Sequence, residues 1–145
     1  MALVTRTLLA CLLLVGGCKS KHEGAQTEPT KLSLDVVIAG ERSTWGDQAF
    51  AAAPRGSGTN HSGDERDVWS LRDLVHANVG PTARVVSVTG AGGTQPVDAA
   101  AWADTAKDPI LHSTRRGTLK FRWADPQGSW GPEVVKDVTA IEIVR

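Results

Sequence analysis

The chain has 145 residues, with 16 Lys+Arg against 16 Asp+Glu and therefore a formal net charge of +0. That balance provides no electrostatic case for binding nucleic acid or an anionic surface. Both cysteines, Cys11 and Cys18, lie near the amino terminus, so neither disulfides nor thiolate metal ligands can hold the remainder together, and an apolar core must suffice.

Residues 1–7 carry one charged side chain, Arg6, residues 8–15 are apolar apart from Cys11, and Gly16-Gly17 follow. This is the order of a secretory signal peptide. A membrane span needs about 20 apolar residues, and this run is about half as long. The boundary "LVGGC", residues 14–18, resembles the lipobox of bacterial lipoproteins, in which the cysteine is acylated and becomes the first mature residue. The resemblance implies a signal peptide over 1–17, lipid attachment at Cys18 through a thioether to diacylglycerol with palmitate-type chains, and the membrane as partner through that anchor. Stable anchoring takes at least two signals, with each buried methylene contributing about 0.8 kcal/mol, which the two or three chains of a lipoprotein cysteine supply. Lys19 after the cysteine, by similarity to enteric sorting rules, implies a cell-envelope location on the outer membrane facing the periplasm.

Residues 18–31 lack any bulky apolar side chain and read as a flexible, lipidated tether. Residues 32–145 fit one domain of common size. "KLSLDVVIAG" alternates at Leu32, Leu34 and Val36 and predicts a strand ended by Gly40. Residues 52–67, rich in Gly, Ser, Asn and charge, read as a long surface loop. "SLRDLVHANVG" places Leu71, Leu74 and Val75 on one helical face, with Ser70 as N-cap, Asp73 in the first turn and Gly80-Pro81 as the stop. Trp69, just before the cap, is placed to pack as a hydrophobic staple does. "ARVVSVTG" is a strand, "AGG" a turn, and "DAAAWADT" a short helix capped by Asp98. "PILHST", "RRG" and "TLKFRWA" read as strand, turn and strand, the last with Leu119, Phe121 and Trp123 on one face. "DPQGSWGP" is a loop, and "EVVKDVTAIEIVR" is strand material with a bulge expected around Lys136-Asp137. Strands and short helices mix without regular alternation, so the expected class is α+β: one small domain with a mixed sheet and short helices.

From "SLRDL", residues 70–74, through "VVKDVTAIEIV", residues 134–144, the element order resembles the oxidoreductase molybdopterin-binding domain of the sulfite-oxidase type. The resemblance implies that scaffold with molybdopterin as the alternative cofactor. Two departures bear on chemistry. The cysteine that binds molybdenum in that family has no counterpart after residue 18, and the family's "DGY" position reads "TGAGG", residues 89–93.

The remaining candidates are weak in motif. "GAGG", residues 90–93, lacks the spacing of a dinucleotide loop and suits a hairpin turn. No pair among His22, His61, His76 and His112 has the i, i+4 spacing of a helical zinc site. His61 with Asp64 and Glu65 could hold a divalent ion, whereas routine exposed loops carry the same residues; His112 is expected to pack or hydrogen-bond. "GSG", residues 56–58, is too short for a nucleophile elbow. The most suggestive cluster is Arg115, Arg116 and Arg122 with Trp123 and Trp130. Arginine beside tryptophan suits anion recognition, sugar stacking or a protein interface. The alternative places Trp123 in the core, the arginines in water beside a turn, and Trp130 over the core edge. The expected function is a non-catalytic binding or accessory domain for a protein or small-ligand partner, with no cofactor, no metal and no nucleic acid; the alternatives are a molybdopterin-dependent oxidoreductase-like domain or accessory subunit with a degenerate active site, which the resemblance implies, and a structural envelope lipoprotein.

Overall fold

The computed structural model describes residues 31–145; the expected signal segment, Cys18 and most of the expected tether lie outside the described residues. β1 (Leu34–Ile38) and β2 (Glu41–Trp45) form a hairpin. Its two-residue turn, Ala39-Gly40, has φ of 51° and 82°, the left-handed pair that matches strand twist in tight hairpins. Then come α1 (Asp47–Ala51), β3 (Gly56–Thr59), β4 (Glu65–Ser70), α2 (Leu71–Asn78), β5 (Arg84–Ala91) and β6 (Gly93–Pro96). The chain continues through α3 (Ala99–Ala103), β7 (Asp108–Ser113), β8 (Leu119–Ala124) and β9 (Trp130–Val144). The result is a single small domain, mostly sheet, with a few short helices.

The strands run in the order β2-β1-β9-β8-β7-β4-β3, and β5, carrying β6, also pairs with β9. The β1–β9 ladder is parallel and every other described ladder is antiparallel, so the sheet is mixed. β9 divides its length between partners. Its first half pairs with β8 through Trp130, Glu133 and Val135, and its second half lies between β1 and β5 from Ala140 onward. The changeover falls at Asp137, whose φ is 44°, beside a register shift against β5. That is the expected bulge at Lys136-Asp137. Gly90 of β5 crosses here so closely that a Cβ would sit against the Lys136 carbonyl oxygen and 2.6 Å from Val135 Cγ1.

Apolar alternation builds the core. Leu34 and Val36 of β1, Val85 and Val88 of β5 and Ile141 and Ile143 of β9 are buried together with Leu71, Leu74 and Val75 of α2. Of the five tryptophans, Trp45, Trp69 and Trp102 are buried, and Trp123 and Trp130 are half-buried. The predicted helix stands as read: the Ser70 side chain accepts from the Asp73 N–H. Arg72 on α2 fixes the next layer. Its guanidinium donates to the carbonyls of Trp102, Asp104 and Lys107 at 2.8 to 2.9 Å and lies over the Trp102 ring, pinning the α3–β7 connection.

The span 52–67 is not one long loop. It contains β3 and the start of β4, which form a hairpin closed at Asn60. β3 is the edge of the sheet, and exposed charges on β4, Glu65 and Asp67, hide the strand period from a hydrophobicity reading. β2, polar except for Trp45, escaped for the same reason.

Candidate basic cleft

β8 sorts its side chains by alternation. Leu119, Phe121 and Trp123 face one way, and Lys120 and Arg122 face the other. Ladder register then places Ile110 and Glu133 opposite Arg122, and His112 opposite Lys120. The face of β7–β9 turned away from the apolar core therefore carries a polar cluster, by pairing rather than by proximity in sequence.

Arg122 is its centre and is only 8% exposed. Its Nε donates to His112 Nε2 at 3.1 Å, its Nη1 to the Gly131 carbonyl at 2.8 Å, and its Nη2 lies 3.5 Å from Glu133 Oε2. Accepting from an arginine requires a lone pair on His112 Nε2, so the imidazole is neutral with its proton on Nδ1, directed to the Ser113 carbonyl. Burial first, and then the charges of Arg122 and Lys120, push the His112 pKa below 6.5. Trp130 stacks on His112 with centroids 4.4 Å apart and planes at 27°. Its indole also lies over Gly58 of β3, where a Cβ would come within 2.9 Å of Trp130 Cε2. The sheet thus curls until its β9 tryptophan meets β3, four ladders away in strand order, and only a glycine leaves room for the ring.

Beside this cluster opens a cleft of about 420 Å³ between the β3–β4 hairpin, the β7–β8 turn and the β9 bulge. Six basic side chains line it: Arg66, Arg115, Arg116, Lys120, Arg122 and Lys136. One acid, Asp137, lines it with them. Two carboxylates stand among the cations. Asp64 takes Arg66 at 2.9 Å and Arg115 at 2.7 Å, tying the two turns together. Glu133 is shared by Lys120, Arg122 and Lys136. Burial works to raise the Glu133 carboxyl, but the hydrogen bond and charge of Lys120, with Lys136 and Arg122, hold it below its usual range. Asp64 is likewise held low: desolvation opposes, and the Asn60 hydrogen bond with Arg115 and Arg66 prevails. The cations still outnumber the acids.

Of the sequence-derived candidates, Arg115, Arg116 and Arg122 line this one cleft. Arg116 is exposed at the turn and pairs with no carboxylate among the described residues. Trp130 does not project freely, as its flanking glycines suggest; it is the packed partner of His112 and Gly58. Trp123 lies edge-on to Phe121 against the core. His112 hydrogen-bonds, as expected. Asp64 and Glu65 of the suggested cation site are turned elsewhere, Asp64 to the arginines and Glu65 to the Ser57 hydroxyl, while His61 is exposed. Among the described residues no group of three His, Cys, Asp or Glu is placed to hold a metal ion. "GAGG" is the tip of the β5–β6 hairpin. Sequence reading missed Arg66, Lys120, Glu133, Lys136 and Gly58 as parts of the site. The signal was the polar set of the β8 alternation, Lys120 and Arg122, which predicts a second, charged face.

The same "TGAGG" tip occupies the position where the sulfite-oxidase resemblance calls for an acid and a tyrosine, and residues 32–145 offer no thiolate for molybdenum. The donor set does not fit that centre. Comparison with protein-family models, curated proteins and solved structures finds no match. Function therefore has to be argued from the cleft.

Acidification should expose the His112 contact. A histidine whose pKa is lower folded than unfolded favours the folded state fully above about pH 6.5, and that contribution is lost as pH falls through the folded value. Unfolding free energy should thus drop between pH 7.5 and 5.5, and the drop should shrink in His112→Gln, whose amide oxygen can still accept from Arg122. An undiminished pH dependence in the variant would assign the effect to other groups.

Proposed function

We propose that this chain is a lipid-anchored protein of the bacterial cell envelope whose single domain is a non-catalytic binding module using the basic cleft. The "LVGGC" boundary supports the anchor. The observation that carries the binding role is the convergence of Arg115, Arg116 and Arg122 from a turn and a strand onto one cleft. Arg116, exposed and without a carboxylate partner among the described residues, leaves that cleft with a cation available to a ligand. Cys18 would hold the lipid, residues 19–31 would give reach from an outer-membrane surface into the periplasm, and the domain would present the cleft to a protein or small ligand.

The anchor is tested by radiolabelled palmitate: the wild type should take up label and Cys18→Ser should not, since a hydroxyl cannot replace the thiol in lipid transfer. Label entering both equally would remove the lipoprotein reading. The binding role is tested by capture from detergent-solubilised membranes with wild type and Arg116→Glu. A partner or ligand retained by the first and lost by the second supports it; identical capture, or none, counts against the cleft.

A second reading is an accessory domain on the sulfite-oxidase scaffold with a degenerate cofactor site. The motif matches behind it are "SLRDL", which opens α2, and "VVKDVTAIEIV", which lies within β9. Molybdenum or pterin bound to purified protein would replace the binding-module reading.

A further inference from the structure

We infer that the basic cleft binds a phosphoryl group, supplied either by a soluble phosphate ester or by a phospholipid headgroup. The inference rests on the binding-module reading and names its ligand chemistry. The first support is the charge count around the cleft. Six cations line it, and the acids in or behind it are Asp64, Glu133 and Asp137. Each of the first two is already shared, Asp64 by two arginines and Glu133 by three cations. Within one cleft the potentials of these charges add, so the surplus favours an anion of more than one charge.

Geometry selects among anions. The cations arrive from separate elements: Arg66 from β4, Arg115 and Arg116 from the β7–β8 turn, Lys120 from β8 and Lys136 from the β9 bulge. A tetrahedral phosphoryl group has acceptor oxygens in several directions and can meet donors converging from several sides. A planar carboxylate accepts within one plane and carries one charge. Asn60, Ser113, Thr114 and Thr118 make up the neutral part of the wall; Asn60 already donates to Asp64 and the two threonine hydroxyls bond each other, so the cations are the main donors left to an anion. The volume, about 420 Å³, falls within the roughly 300–1,000 Å³ of small-ligand sites, leaving room for more than the anion itself.

Part of the site is built before any ligand arrives. Arg122 is held by His112, Gly131 and Glu133 under Trp130, so the floor of the cleft keeps its charge in a fixed place. Arg115 is held by Asp64. Arg116 and Lys136, by contrast, are exposed; Lys136 has one ion pair, at 3.6 Å, so these two side chains are free to turn toward an incoming anion. Replacement of Arg116 should leave the fold intact because it pairs with no carboxylate among the described residues, and replacement of Lys136 removes only one exposed ion pair to Glu133.

The test uses full-length protein in detergent at fixed ionic strength, titrated calorimetrically with inorganic phosphate, glycerol 3-phosphate and, as the carboxylate control, acetate. Saturable one-to-one binding of either phosphate is expected, with acetate at least about tenfold weaker. Arg116→Glu and Lys136→Glu should each weaken binding about tenfold or more, the scale of a lost charge-assisted contact, with thermal midpoints of the free proteins near wild type. In a lipid arm, Cys18→Ser protein is floated with phosphatidylglycerol or phosphatidylcholine vesicles. Flotation confined to phosphatidylglycerol and abolished by adding Arg116→Glu, without binding of the soluble phosphates, keeps the phosphoryl chemistry and assigns it to a lipid headgroup. The inference is overturned by acetate binding as well as phosphate, by binding that survives both charge reversals, or by no binding in either arm. In that last case, membrane capture that still depends on Arg116 would leave the binding module standing with another ligand.

Discussion

Trp69→Ala is expected to lower the unfolding free energy by about 3–5 kcal/mol, the range for emptying a large aromatic site in a packed core. Trp69 is 4% exposed. It meets Phe50 of α1 edge-to-face, with centroids 5.1 Å apart and planes at 72°, and it sits opposite Leu111 in the β4–β7 ladder. The next residue, Ser70, caps α2 and donates its hydroxyl to Asp108 at 2.8 Å. One side chain therefore joins a helix on one side of the chain to the strand-to-helix corner on the other, and the cavity left by alanine would be walled by elements that have other anchors and cannot collapse into it. Urea unfolding of the two proteins is the measurement. Equal midpoints would mean that Trp69 lies in water and would make it a surface residue to consider for binding.

Arg122→Met should cost a comparable amount, about 3–5 kcal/mol, because removing one member of a buried charged network strands the others. Methionine keeps much of the stem but leaves His112 Nε2 and the Gly131 carbonyl without their donor, and takes one cation from Glu133. Arg122→Lys should recover only part of the loss. A compact ammonium cannot serve three acceptors that lie around the edge of a planar guanidinium. Chemical denaturation of the three proteins at pH 7.5 decides this. Full rescue by lysine would show that charge alone matters there and that the fork geometry does not.

Those two residues differ in how far the sequence announces them. Trp69 stands at a helix start that Ser70, Asp73 and the Leu71-Leu74-Val75 stripe make plain, since capping and a 3.6-residue period are local signals. The strands β5, β7 and β8 are equally legible from apolar alternation, as are the "AGG" turn and the bulge in β9. The β3–β4 hairpin and β2 are not, because edge strands carry charge and small residues, and their pairing partners lie far along the chain. Arg122 is visible as a candidate, and its neighbours are not: His112 is 10 residues away and reaches it only through the β7–β8 register, while Glu133 depends on the register of β9. Trp130 shows the same limit from the other direction. Its place in the sequence says nothing of its contact with Gly58, which lies in a different hairpin and gives the indole its room.

The position of β9 in the chain has a consequence for when this domain can form. It is made after the eight strands it organises, and it is the shared partner of β1, β5 and β8. Before it emerges, the β1–β2 hairpin, the β5–β6 hairpin and the β3-β4-β7-β8 group have no ladder joining them. Each exposes a sheet edge, and none can bury the face that the last strand completes. The nascent chain therefore has little to gain from folding early, and the long loops closed by β1–β9 and β5–β9 pairing make the final step slow for a domain of this size. Completion of the fold therefore waits on β9, the strand that joins these three groups.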